Sequence, residues 1–336
     1  MRRVSYQPQF TITPGLLTRV EQIAALRERI LAATVHVPWI PALQKDTSTR
    51  NTHSSTAIEG NPLTLEQVRA VEEGREIPAV AGRAKREVTN YFAGLRFVET
   101  KAGKASINHE DIFRLHRILA EGVMDQGDAG RYRTIRVRVG HYVAPAPEDV
   151  SGLMFELLTW WNKESAKLSP VLTSAILHHR FESIHPFADG NGRTGRALAL
   201  WELYRRGFDT HHIFSVDEFY WEDRPRYYQS LDAVRRAGDD LTNWLEYSAE
   251  GLLFTLERVW TRVQNLSAQP AKKLVLRPKQ EQLLQMLRHH KSMGPSEIWS
   301  GLGISKQGAL DLLNPLIDAG LVKRVGSKKT GRYILA

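Results

Sequence analysis

The chain's 336 residues are enough for two or three compact units, with at least one core that needs no covalent staples. Its composition, 42% hydrophobic and 25% charged without a long apolar run, argues against a membrane-spanning helix, and the lack of cysteine excludes disulfides, thiolate metal sites and a cysteine nucleophile. The net charge of +9 is uneven: residues 271–336 hold twelve Lys/Arg against four Asp/Glu while the first 270 hold 34 against 33, so a basic module follows a nearly neutral body.

In chain order, the N-terminal MRRVSYQPQF carries charge but no apolar stretch behind it, which is unlike a signal peptide. With the missing cysteines this sets the expectation of a cytoplasmic protein. Thr64 followed by Gln67 reads as a capping box opening a helix through Val68 and Val71. Asn108 with Asp111 opens another, with Ile112, Leu115 and Leu119 at helical spacing. Residues 132–142 (YRTIRVRVGHY) alternate Ile135, Val137 and Val139 with Arg136 and Arg138, a period of two that predicts a strand; Pro145 and Pro147 punctuate its end. Helices are predicted over 153–161 and 171–184. A further helix through 197–204 is apolar on every side, as at the centre of a bundle.

A linker is predicted near 267–271 (SAQPA). Beyond it, 279–287 and 295–299 read as helices, and a turn over 301–304 leads to Ser305, the cap of a third helix through Leu316. Residues 321–325 and 332–335 read as strands joined by a basic turn at 326–331. Helix, helix, turn, helix and hairpin is the order of a winged helix-turn-helix. The expected fold is therefore mainly α with a small C-terminal winged-helix α+β domain, divided as 1–105, 106–266 and 271–336.

Chemistry concentrates in residues 185–196, HPFADGNGRTGR. Gly190, Gly192 and Gly195 alternate with polar residues directly before a helical run. Glycines allow close backbone approach, and a helix N-terminus offers unpaired N–H groups to an anion. Arg193 and Arg196, three apart, can clamp phosphate oxygens from one face. Asp189 suits Mg²⁺, which takes hard oxygen ligands and few protein carboxylates. His185 has a pKa suited to proton transfer near neutrality. The parts describe a nucleoside triphosphate site with a base beside it; a plain phosphate loop is the alternative. No GxxxxGK[ST] sequence occurs, so the loop is not of the Walker type.

At every defined position these residues resemble the Fic family signature, HxFx(D/E)GNGRxxR. The resemblance implies a helical Fic/Fido core with a short β-hairpin flap, covering roughly 107–252, and transfer of AMP from ATP to Ser, Thr or Tyr hydroxyls of proteins. By it, His185 is the catalytic base and Asp189 the magnesium ligand. Gly190, Asn191 and Gly192 form the anion hole, with Thr194 and Gly195 in the same loop. Arg193 and Arg196 face the β and γ phosphates, and Phe187 anchors the loop. Glycine at 192, where kinase-like relatives carry lysine, favours AMP transfer over phosphate transfer.

Residues 54–61 (SSTAIEGN) then resemble the family's inhibitory motif, (S/T)xxxE(G/N), through Ser55, Glu59 and Gly60. Glu59 paired with Arg196 would occupy the γ-phosphate clamp. Val139, Gly140, His141 and Tyr142 resemble the flap that lines the nucleotide site and aligns a target segment by strand addition. Tyr227 and Tyr228, in PRYYQSL, resemble paired tyrosines near the adenine; Arg235 stands where some relatives have a contacting asparagine. His178, His179, His211 and His212 lack a third ligand pattern and read as packing or surface residues.

In the basic module, Lys306, Gln307 and Asn314 are the polar residues of the expected recognition helix. Lys323, Arg324, Lys328, Lys329 and Arg332 make a basic wing. DNA and a docking protein both fit it. Two other readings stay open: a DNA-binding regulator using the domain as a nucleotide sensor, against which His185 argues, and transfer of another group such as UMP or phosphocholine. AMP removal at the same site and a homodimer are also left open. No membrane partner is expected.

Overall fold

The computed structural model describes residues 6–34, 39–77, 82–268, 276–326 and 331–335. The described residues form fourteen α-helices and two small hairpins. The N-terminal part holds α1 (Pro14–Thr34), α2 (Ile40–Ile58), α3 (Leu65–Glu72) and α4 (Gly82–Lys101). Next come α5 (His109–Ala120), the hairpin β1 (Arg138–Val139) and β2 (Tyr142–Val143), and α6 (Pro147–Lys163). Then follow α7 (Pro170–Ile184), α8 (Asn191–Arg205), α9 (Asp217–Glu222), α10 (Arg224–Arg236) and α11 (Thr242–Ala268). The C-terminal unit is α12 (Pro278–His290), α13 (Pro295–Leu302), α14 (Lys306–Asp318), β3 (Val322–Val325) and β4 (Arg332–Leu335).

The core is built around the α7–α8 pair. Leu198 and Trp201 of α8 are fully buried, and Phe181 and Ile184 of α7 face the same interior. One charge goes in with them: Glu202 is 0% exposed. It is satisfied by Trp161 Nε1 at 2.6 Å, Thr173 Oγ1 at 2.8 Å and the Arg205 guanidinium at 2.9 Å. A buried carboxylate is tolerable only with such partners. α1 lies along α11 and closes the bundle with Leu16, Ile23 and Ile30.

The expected capping boxes are present. Thr64 Oγ1 accepts from Gln67 N and Asn108 Oδ1 from Asp111 N, with both reciprocal bonds made. The strand expected over 132–142 is not: only Arg138–Val139 pairs, with Tyr142–Val143. The alternation has no core to serve, since Ile135 and Val139 are 40% and 38% exposed. Arg133 turns inward instead and ties the segment as a loop to the carbonyls of His185, Ile135 and Pro145.

The expected linker begins later than predicted, because α11 continues through Ala268; residues 269–271 lie outside the described residues. The C-terminal unit has its own core of Leu283, Leu287, Ile298, Leu313, Leu316 and Tyr333. Ser305 Oγ accepts from Gly308 N at 3.1 Å and caps α14. Residues 327–330, with Lys328 and Lys329, lie outside the described residues. The unit meets the body through Lys45–Glu73–Lys323 and Arg288–Glu99.

Candidate active site

The HPFADGNGRTGR segment is the connection between α7 and α8. α7 ends because His185 takes a left-handed backbone (φ 50°), and α8 starts from Gly190 (φ 75°). Space is tight at Gly190 as well: a Cβ there would lie 3.3 Å from His116 Nε2. Phe187 is fully buried and stacks on His116 with ring centroids 3.6 Å apart. Asn191 locks the turn by accepting from Phe187 N and donating to Phe187 O, both at 2.9 Å. Thr194 donates to Gly190 O at 2.8 Å. Asn191 and Thr194 are thus frame residues of the loop, both buried. The loop amides preceding and opening α8 gather where a helix N-terminus favours negative charge.

Two residues that sequence reasoning passed over hold this loop. Gly130 N donates to His116 Nδ1 at 2.8 Å, which fixes the tautomer with the proton on Nε2. That nitrogen donates to Asp189 O at 2.9 Å. Burial pushes His116 down to about 4, so it is neutral as this network needs. Arg133, 4% exposed, donates to His185 O at 2.8 Å and so pins the left-handed residue. His116 stands on the apolar face of α5 beside Leu115 and Leu119, which is the signal that could have marked it.

Both arginines of the motif are buried. Arg196 donates from Nε to Ser55 Oγ, and from Nη2 to Ser55 O and Glu59 Oε1, each at 2.8 Å. Asp217 Oδ2 lies 3.7 Å from Nε. Burial works against the charge of Arg196, but Glu59 and Asp217 outweigh it, so the guanidinium stays protonated. Arg193 differs: its Nε and Nη1 are buried without a hydrogen-bond partner, and its ion pairs to Asp189 and Glu87 are long, at 3.9 and 4.0 Å. An orphaned buried guanidinium beside a helix N-terminus is a place for an anion.

Glu59 closes α2, and Gly60, at φ 94°, turns the chain away from it. The Glu59 carboxylate lies so close to Gly192 that any Cβ there would collide with Oε1. Burial raises its pKa, but Arg196, then Arg193 and His185, more than offset this and hold the carboxyl below its ordinary range. The cleft beside it has a volume of about 340 Å³, and its lining includes Glu59, Gly140, His185, Gly192, Arg196 and Tyr228. Val139, His141 and Tyr227 also line it.

Three predicted residues also have partners within the protein. Tyr142 donates to Ser183 O at 2.6 Å, with Arg235 stacked 3.6 Å over its ring, and does not line the cleft. Tyr227 is 1% exposed and hydrogen-bonds His178 Nε2 at 3.0 Å. Tyr228 donates to Ile58 O at 3.3 Å, next to Glu59. Gly195 faces inward on Glu182, 2.5 Å from where its Cβ would be. His178 and His179 are buried packing residues, and among the described residues no cluster of three metal-binding side chains occurs. Asp189, one-third exposed, accepts from Gly190 N at 2.6 Å and turns its remaining capacity outward.

A histidine, a glycine-lined helix N-terminus and two buried arginines thus stand together on a helical frame. Residues 106–203 match the model of the Fic/DOC family. The protein adenylyltransferase fic-1 of Caenorhabditis briggsae is 31% identical over 274 residues, 77% of this chain and 52% of its own length. The chain spans about half the length of the curated relatives it matches. Among solved structures, a Fic family protein from Desulfovibrio desulfuricans G20 aligns over 98% of both chains at 28% identity, with a TM-score of 0.68. A point variant of Fic-1 of C. elegans is 30% identical, covers 73% of this chain and 72% of its own, with a TM-score of 0.62. The chain belongs to the Fic/DOC family. Its mainly helical fold is that of these relatives.

Proposed function

We propose that the chain is a protein adenylyltransferase that moves AMP from ATP to a protein hydroxyl and is held in check by its own Glu59. The observation carrying this is the pair of buried arginines beside His185: Arg193 with two orphaned donors, and Arg196 bound by Ser55 and Glu59 at 2.8 Å. On this reading the phosphates would meet the loop amides at Gly190–Gly192 and Arg193. Arg196 would take the γ phosphate once Glu59 has left. The hydroxyl oxygen attacks the α phosphorus, the bond to the β-phosphate oxygen breaks and pyrophosphate leaves. His185 accepts the hydroxyl proton. Its pKa, lowered by burial to about 4, keeps it in the unprotonated form.

Asp189 suits a single Mg²⁺ contact, because magnesium keeps waters and phosphate oxygens as its other ligands. Bound there, the ion would offset phosphate charge. The exposed residues Val139, Gly140 and His141 at the cleft would align the target segment as an added strand. Removal of AMP, with Glu59 positioning a water, uses the same groups.

For the C-terminal unit, a protein-docking role is favoured over DNA. Lys323 is paired to Glu73 at 3.3 Å and Arg332 to Glu297 at 2.8 Å, which spends part of the basic wing on internal partners. Incubation with ATP and Mg²⁺ followed by intact-mass measurement tests the main reading. An added mass of one AMP in the Glu59→Gly form, abolished by His185→Ala, is expected. No adduct on the chain or on any added protein would refute it.

A further inference from the structure

Glu182 lines the same cleft, one helical turn before His185, and the chemistry above leaves it unused. It is 7% exposed. Its Oε2 lies 3.7 Å from His185 Nδ1, and Nδ1 itself has no hydrogen-bond partner. Its Oε1 is also buried without a partner and points at Gly195, where a Cβ would come within 2.5 Å. The third glycine of the motif therefore makes room for this carboxyl. Buried carboxyls are rare without partners, and here one lies beside an imidazole nitrogen that also lacks a hydrogen bond.

We propose that Glu182 is a positioning residue that acts through His185: it holds the imidazole proton on Nδ1, leaves Nε2 as the base and stabilises the imidazolium formed during transfer. The inference rests on the adenylyltransferase reading for its kinetic consequence only. The hydroxyl O–H bond breaks and an Nε2–H bond forms, while the Nδ1 proton stays on the ring, shared with the Glu182 carboxylate. A carboxylate orienting a histidine in this way is the general logic of base-orienter pairs.

The charged and titratable groups around Glu182 are His185 on its own helix, Arg196 from α8, Glu59 from the end of α2, and Arg235 and Tyr227 from α10. Burial first, and then Glu59, raise the Glu182 carboxyl to about 7. Removing Glu59 takes away the second of these causes. The carboxylate form then gains population just where the site is opened. The backbone carbonyl of Glu182 also favours the protonated ring of His185.

The test compares Glu59→Gly with Glu59→Gly/Glu182→Gln by ¹⁵N NMR of the histidine rings, with a His185→Ala spectrum identifying the signals. The side-chain reading expects the parent to carry the Nδ1 proton, and the glutamine variant to lower the His185 pKa and weaken that tautomer preference. Labelled-ATP incorporation should fall roughly tenfold or more in kcat, with KM for ATP little changed. An unchanged tautomer and titration would overturn the proposal and give the role to the backbone carbonyl. A parent that incorporates no label, yet shows the NMR difference, would defeat the adenylyltransferase reading and leave this one standing. Glu182→Met, of similar volume without a carboxyl, replaces the glutamine variant should that one fail to fold.

Discussion

Replacing Glu59 by glycine removes one charge-assisted hydrogen bond to Arg196 and a carboxylate that lies against Gly192. Such a bond is worth about 1.5–3 kcal/mol, or roughly ten- to a hundredfold in the fraction of sites able to hold a γ phosphate. The lower end is the better guide, since the Glu59 side chain is 32% exposed and water shares in solvating it. Arg196 does not collapse in the variant. Its two bonds to Ser55 and the Asp217 carboxylate are independent of Glu59. Incorporation of label from ATP in the presence of Mg²⁺ should therefore rise about tenfold or more in Glu59→Gly. Glu59→Gln separates charge from bulk: it keeps the side chain against Gly192 and loses the ion pair, so its rate should fall between the two. Equal incorporation by wild type and Glu59→Gly would refute the competition argument. A glutamine variant as active as the glycine one would assign the whole effect to charge.

Arg133→Met leaves the carbonyls of His185, Ile135 and Pro145 without their donor, and incorporation in the Glu59→Gly background should drop about tenfold or more; an unchanged rate would clear Arg133 of any positioning role. Phe187→Ala should cost about 3–5 kcal/mol of stability, read by urea unfolding, because the ring is fully buried against His116. His116 is charged in the unfolded chain below about 6.5 and in the folded one only below about 4, so its stabilising contribution is present above 6.5 and lost as the pH falls toward 4. The thermal midpoint should fall across that window, and less so in His116→Gln. Asp189→Ala should weaken the Mg²⁺ dependence of labelling, measured by titrating the metal at fixed ATP.

The motif's own frame was readable in the sequence, because glycines at a helix start and a buried aromatic are local signals. The capping boxes of α3 and α5 were equally local. α4 carries a similar signal that the sequence reading left unused: Ala84, Val88, Tyr91, Leu95 and Val98 recur at helical spacing. α2 carries none. Its buried face contains Thr47, Thr49, Asn51, Thr52, Ser54 and Ser55, a polar run with no apolar stripe. Part of that burial is made tolerable by hydroxyls bonding back to the helix, as Thr49 does to Lys45 O at 2.9 Å and Thr56 to Thr52 O at 2.8 Å. The buried partners across the cleft, Arg196 with Asp217 and Tyr91, explain why Ser55 is inside. Arg133 was hidden for the opposite reason. It belongs to an alternating pattern that reads as a strand, and its real partners are carbonyls up to 52 residues away.

On the proposed reading, the way α2 meets Arg196 bears on how inhibition by Glu59 is lifted. Ser55, one turn inside the helix, binds Arg196 through both its hydroxyl and its carbonyl, and both groups are buried. Glu59 is at the helix end, followed by a glycine in the left-handed region, and is the most exposed member of the set. Opening the clamp for a phosphate thus requires the Glu59 side chain to swing, while the helix and its Ser55 contacts remain. A rotamer change of one partly exposed residue costs far less than undocking nineteen residues of helix. On the proposed reading, a docked target or ligand needs to supply only about the energy of one charge-assisted bond to release the enzyme. Ser55→Ala should behave differently from Glu59→Gly: it loosens Arg196 itself, so labelling should fail to rise even though the inhibitory segment is weakened. A Ser55→Ala variant as active as Glu59→Gly would show that Arg196 does not need Ser55 to hold it, and that α2 as a whole is the inhibitor.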